Sequence, residues 1–562
     1  MRRLSIVFYS LAAIALVAVG ARELGFKPEL PLTKVAGDSN KYGYYLASWR
    51  AGAMSDFPVF VELYPKAVED GTGDFAERLF IVRMLSGDET GAKEAATALL
   101  KTRPSNVMAA TYMSYLSFKT GDYKDADKRL RNLGTAGNNF MVRLLRAWTL
   151  AALDDYNGAM DILEGESEKR AFEKIALVHL GLLAAEVDNV KYANQSFTEA
   201  AALPLDIFDL ENIAGYYAAQ NRPEKAKLSV LEALKKSPSS ISIAALLKRI
   251  ERGWTPPAID TPRKGYAKAL FDISSLAFAV NNNQPGEAYM FYLDMALGLE
   301  PDMQVARLMK AEAYRKAGRS EIYKAMTDRI SDSHHLKPIT RINWAQELLA
   351  KGDDSGLGIL KDMIKDNPSV MQPYVMIGDF YRKRGNHPRA IDWYSRGIKE
   401  NPTSPLAPEA KLARAMAYEM SGKEDLALLD LEEASKGSQL PELMNYYGYM
   451  LINRGMDIDK GMRLIQMALS SEPSNPYYLD SYGWAHYKKG DYAEAVRLLE
   501  YAYALSQGNA IILSHLGDAY FAADRKAEAR FAWGKALTNL EGGKWSEKIT
   551  KAELLEKLKP PS

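Results

Sequence analysis

The chain has 562 residues, more than one ordinary hydrophobic core holds, so it is several domains or a repeat array. Lys and Arg total 72 against 71 Asp and Glu, a balance that argues against a dedicated nucleic-acid binder. There is no Cys, which excludes disulfides, thiolate zinc sites, a Cys nucleophile and a lipid-modified Cys anchor.

The N-terminus reads MRRLSIVFYSLAAIALVAVGA, with Arg2 and Arg3 ahead of the uncharged residues 4–21. This run sits at the lower edge of a membrane span and exceeds the usual signal core. Residues 1–21 are therefore expected to be a signal peptide or an N-terminal membrane anchor. Val19 and Ala21 suit cleavage, and the leading positive charge orients the rest outward. The expected location is the periplasm, or the cytoplasmic membrane facing it. Residues 22–41, with Pro28 and Pro31, read as a linker.

Beyond residue 41 small residues recur: Ser48, Ser114, Ala147, Gly181, Ala214, Ala277, Ala311, Ala345, Gly378, Ala415, Gly448, Gly483 and Gly517, with Phe80 as the large exception. Spacings stay between 32 and 37 except for one of 63 after Ala214. A second series lies about twelve residues later: Ala92, Ala126, Ala159, Ala226, Ala390, Ala427, Ala495 and Ala529. Pro104, Pro204, Pro238, Pro301, Pro368, Pro402 and Pro473 punctuate the units. Each unit is predicted to be two antiparallel helices that cross at the small residues. KTGDY (119–123) and KKGDY (488–492) supply turns, with Gly ending one helix and Asp capping the next.

The long spacing holds GWTPPAIDTP, where prolines block a helix. It divides an N-terminal array, 42–238, from a C-terminal array, 264–540. Residues 239–263 form a degenerate repeat and Pro-rich joint. Residues 541–562 are expected to close the array, with an amphipathic helix over 545–558 burying Ile549, Leu554, Leu555 and Leu558.

The period and layout resemble the tetratricopeptide repeat (TPR) family, most fully at Leu479, Tyr482, Gly483, Gly490, Tyr492, Ala495, Leu499 and Ala502. Leu516, Gly517, Tyr520, Ala529, Trp533 and Ala536 repeat that pattern. The resemblance implies an all-α fold: a right-handed superhelical solenoid of about 14 helix-turn-helix units with a C-terminal capping helix. It also implies a concave groove, lined by first helices, that binds protein segments. The C-terminal half is similar to large bacterial envelope TPR proteins, some of them adaptors for proteases that control cell-wall hydrolases. This chain departs from the lipoproteins among them in lacking the Cys of a lipidated N-terminus.

The predicted inward positions are Asn445, Tyr446, Tyr449 and Asn453; then Asp480, Trp484, Tyr487 and Lys488; then His515, Asp518 and Phe521. Aromatics with polar handles suit protein recognition, and packing between repeats is the competing reading for them. No phosphate loop, Gly-x-Ser-x-Gly or His-Glu-x-x-His pattern occurs. His334 and His335 form the one histidine cluster and bring no further ligands in sequence, so no metal, cofactor or catalytic residue is expected. The expected function is a non-enzymatic, exported scaffold for protein partners, with an envelope protease or cell-wall enzyme as the implied class. The alternatives are a peptidoglycan- or carbohydrate-contacting module and an enzyme of unrecognised type.

Overall fold

The computed structural model describes residues 41–53, 56–67, 76–167, 172–254, 259, 261–506, 508–541 and 549–559. The expected leader (1–21) and nearly all of the linker lie outside them, as does part of the Pro-rich joint. The described residues are helical throughout, without strands, and the helices follow one another as pairs. Among them no helix is long and apolar enough to cross a membrane.

Physical chemistry at the turns explains the punctuation. Gly121 and Gly490 have φ of +85° and +81°, a left-handed geometry that ends a helix and is costly for other residues. The next residues, Asp122 and Asp491, accept from the backbone N–H of Asp125 and Glu494 and start the following helix. Where helices cross, space is the constraint. A Cβ on Gly517 would lie 2.4 Å from the Trp533 ring, and one on Gly448 2.6 Å from the Gly461 carbonyl oxygen. The second Ala series, from Ala92 to Ala529, is buried throughout.

The chain divides into two compact units, Met1–Thr340 and Arg341–Ser562. The boundary therefore lies well beyond the Pro-rich joint, and the pairs after the joint pack with the N-terminal array. The reason is visible in the first helices of that array. A helix of a simple stack buries one stripe, as Val190–Ala201 does with Ala193, Ser196, Phe197 and Ala200. Its partner Glu173–Glu186 instead buries every residue from Ile175 to Ala184. Something covers its other face.

The cover is the pair Pro262–Val280 and Glu287–Leu299. Tyr266 stacks on Phe118 at 4.1 Å, Phe271 meets Phe208 edge-on at 4.9 Å, and Phe291 meets Phe80 edge-on at 5.6 Å. Gly265 lies against Trp148 so closely that a Cβ would fall 2.2 Å from the ring. These partners stand on the first helices Ala76–Leu85, Val107–Lys119, Phe140–Ala151 and Ile207–Ala219. The face expected to be an open groove in the N-terminal array is thus filled by the chain's own helices.

A buried polar chain fixes that filling. Lys268, fully buried, donates to Asp209 Oδ1 at 2.8 Å and to both oxygens of Asp272 at 2.9 and 3.0 Å. Lys174 donates to the other oxygen of Asp209 at 2.9 Å. Trp148 Nε1 donates to His179 Nδ1 at 2.7 Å, which leaves His179 Nε2–H to donate to Asp272 at 2.7 Å. Burial opposes the charge on Lys268, but Asp209 and Asp272 outweigh it and raise its pKa. Burial also pushes His179 down, so the imidazole is neutral, as its two hydrogen bonds require.

Two details of the repeat reading are corrected. Ala277 is only half-buried and stands near the end of a 19-residue helix, because Pro262–Val280 is extended to span the face rather than to repeat the ordinary crossing. At the C-terminus the described helix is Lys551–Leu558, and its inward residue is Leu554. Leu555 is 45% exposed, since one residue further turns it about 100° away from the packed side. Ile549 and Leu558 pack partly against the last pair, as expected.

Candidate functional site

Within the second unit the equivalent face is formed by Pro441–Asn453, Pro476–Lys488 and Ala510–Ala522, and the closing helix Lys551–Leu558 touches its end, where Lys557 reaches Ser514 and Asp518. Prolines at the starts of the first two pre-set the helical φ where no intrahelical N–H is needed. Asn475 and Asn509 cap the second and third by accepting from backbone N–H groups.

The eleven expected positions fall into three layers. Asn453 and Lys488 are exposed, and Phe521 is 50% exposed. Asn445, Tyr446, Tyr449, Tyr487 and Asp518 are half-buried. Asp480, Trp484 and His515 are buried. The structure brings the last two helices' residues into one cluster. Trp484 lies between Tyr487, stacked at 4.7 Å and 11°, and His515, stacked at 4.3 Å and 20°. His515 Nδ1 pairs with Asp480 at 2.9 Å. Asp518 accepts from Trp533 Nε1 at 3.0 Å and from Lys557 of the closing helix at 2.7 Å.

Trp484 is consequently a packing residue between repeats and not an exposed anchor, while Phe521 and Lys488 face out. On the neighbouring helix Tyr446 donates to Glu419, and burial, with that carboxylate second, pushes its pKa up. Two polar atoms of this face remain without partners among the described residues: Trp484 Nε1 and Asn445 Oδ1 are buried and make no hydrogen bond. Lys488 places its ammonium 4.9 Å from the Trp484 ring centroid and has no carboxylate partner among the described residues.

One cluster in the first unit was not legible in the sequence. Glu211 meets His334 Nε2 at 3.8 Å and His335 Nδ1 at 3.6 Å, and the three candidate ligand atoms lie within 4.8 Å of one another. The histidine lone pairs are already engaged, however. Arg249 approaches His335 Nδ1 at 3.3 Å, and Leu336 N–H donates to His334 Nδ1 at 3.2 Å. Glu211 is 123 residues from His334, and no local pattern links them. Burial drives these groups neutral: Glu211 rises to about 7 and His334 falls to about 4.

The sign gives a prediction. A carboxyl whose folded pKa exceeds its unfolded value of 4.5 costs stability as pH rises from 4.5 through 7. Glu211→Gln removes that cost. Its stability relative to wild type should therefore climb between pH 5 and pH 8, by roughly 2–3 kcal/mol. Parallel urea titrations of the two proteins at both pH values check this; a pH-independent difference would contradict it.

Comparison with known families agrees with the repeat reading in the C-terminal part of the chain. The tetratricopeptide repeat family profile matches residues 375–441 and 483–543. Those two stretches are tetratricopeptide repeats. They include the TPR pairs that carry Trp484, Tyr487, His515 and Phe521. Among solved structures, the APC/C hetero-tetramer Cut9–Hcn1 aligns over 86% of this chain and 96% of its own, at 17% identity and a TM-score of 0.39. A tetratricopeptide repeat protein from Parabacteroides merdae ATCC 43184 aligns over 45% of this chain and 98% of its own, at 17% identity and 0.35. YrrB, described as a TPR protein with an unusual peptide-binding site, aligns over 33% and 98%, at 16% identity and 0.26. No curated protein matches the sequence.

Proposed function

We propose that this protein is a non-catalytic scaffold of the bacterial cell envelope that binds protein partners on the first-helix face of its second unit. TPR repeats are protein-interaction elements, and the observation that selects this face is the contrast between the units. The first unit covers its own face with Pro262–Val280 and Glu287–Leu299. In the second unit the closing helix touches only the end of this face, at Ser514 and Asp518, and Phe521, Lys488 and Asn453 are open to solvent. An exposed aromatic, a cation and an amide near the ends of three successive first helices suit a protein surface. The apolar run 4–21 behind Arg2 and Arg3 supports export. The similarity of the C-terminal repeats to envelope TPR proteins supports a protease or cell-wall enzyme as the partner.

The test is crosslinking and affinity capture of the tagged full-length protein from its own envelope. The comparison protein carries Phe521→Ala and Lys488→Glu, two positions open to solvent, and its thermal melt is recorded beside wild type so that loss of partners is read only from folded protein. A defined set of partners, lost from the double variant, is the expected result. The same set recovered from both proteins contradicts the assignment of the face. Sedimentation with purified peptidoglycan, without any protein partner, would replace it with a carbohydrate-contacting role.

A further inference from the structure

The helix Lys41–Ala53 reads KYGYYLASWRAGA, with four aromatics, two cations and no acid. Its packed side buries Ala47, Ser48 and Ala51. Leu46 and Trp49, three residues apart and so on one side, are 40% and 51% exposed. Among the described tryptophans only Trp49 is exposed. The other end of the chain is treated differently, for the closing helix buries Leu554 against the last pair.

The charges around Leu46 and Trp49 are of one sign. The acids of this first pair are committed, Asp56 to Arg319 and Glu62 to Lys66. Arg50 follows Trp49 directly, and Lys66 lies 5.9 Å from the Tyr44 ring centroid. Trp with an aliphatic neighbour and nearby cations suits the boundary between water and lipid. The indole body is apolar, its N–H meets headgroup oxygens, and the cations meet phosphates.

The sequence says why this helix would be near lipid. Residue 21, the last of the uncharged run, stands twenty before Lys41. A run retained in a bilayer therefore holds the start of this helix within about 70 Å of it. No other described element is tied so closely to residues 4–21.

We propose that residues 4–21 stay as a membrane anchor and that Leu46 and Trp49 rest on the lipid surface beside it, with Arg50 at the headgroup phosphates. This rests on the reading of the chain as exported, in its anchored form. The partner face of the second unit plays no part in it.

The test uses the full-length protein, isolated from membranes and reconstituted into vesicles of phosphatidylcholine and phosphatidylglycerol. Its emission minus that of the Trp49→Phe protein isolates Trp49. Brominated acyl chains should quench this difference, and iodide in the water should not. Leu46→Glu, at an exposed position, should exchange the two responses. Quenching of wild type by iodide alone overturns the proposal, because Trp49 then faces water. Quenching by neither also overturns it, because protein then covers Trp49, either residues 22–40 or a second copy. The intact mass of the isolated protein should include residues 1–21. A chain lacking them removes the anchor and the proposal with it, and leaves the export reading standing.

Discussion

Lys268→Ala is expected to destabilise the first unit by about 3–5 kcal/mol, the usual cost of removing one member of a buried ion group. The ammonium neutralises Asp209 and Asp272, both of which are buried. Without it Asp272 keeps only the His179 N–H, and Asp209 keeps only Lys174. Two carboxylates would then lie in the core with one cation between them. The deficit should shrink as pH falls from 7 towards 4, because burial pushes the Asp209 carboxyl up and Lys268 is the main group holding it low, and without Lys268 it takes up a proton more readily. Chemical denaturation across that range checks both the size and the slope. A loss under about 1 kcal/mol, the range of an exposed ion pair, would mean that Lys268 reaches solvent and the helix is not seated as described.

Gly265→Ala is the second large effect, and there two terms oppose each other. Alanine favours a helix over glycine by about 1 kcal/mol. Against that, the new Cβ would lie 2.2 Å from carbons of the Trp148 ring, which is fully buried. Overpacking of this kind costs about 1–3 kcal/mol or more, so the net change is a loss. Gly534→Ala is the control. It lies within a helix with nothing within 4 Å of its Cβ position, so it should stabilise slightly. Thermal melts of the two variants should move in opposite directions; melts moving together would show that Gly265 does not contact Trp148.

The pair-by-pair fold was legible because most crossings carry a small residue and many turns a Gly or Pro, at a recurring spacing; Asp154, Asp188, Asn221 and Asp524 take the left-handed turn position in others. The placement of the helix that begins at Pro262 was not legible. Tyr266, Leu270 and Ile273 mark a core helix, and a core helix looks the same whether it stacks on its neighbour or crosses helices more than a hundred residues earlier. Lys268 and Asp272 read locally as an ordinary exposed i,i+4 pair, and only tertiary packing turns them into a buried anchor. The spacing of 63 marked the place without revealing the rearrangement.

The candidate site was legible to about the same degree. Helical period placed Asn445 through Phe521 on first helices, but period alone does not separate an aromatic that packs between repeats from one that faces out. Trp484 is held by its neighbours' rings because Tyr487 is one turn along and His515 lies on the adjacent helix. Phe521 is half-exposed near the end of the last first helix, beyond which no further pair packs among the described residues.

One unit has closed its first-helix face with its own helices, and the other has not. Hydrogen exchange on the captured complex, compared with the free full-length protein, tests that contrast most directly. New protection should fall in Pro441–Asn453, Pro476–Lys488 and Ala510–Ala522, with the first helices between Ala76 and Ala219 and the covering helix Pro262–Val280 unchanged. Protection appearing on those first helices, with Pro262–Val280 exchanging faster, would mean that the partner displaces the chain's own cover and that the first unit holds the binding face.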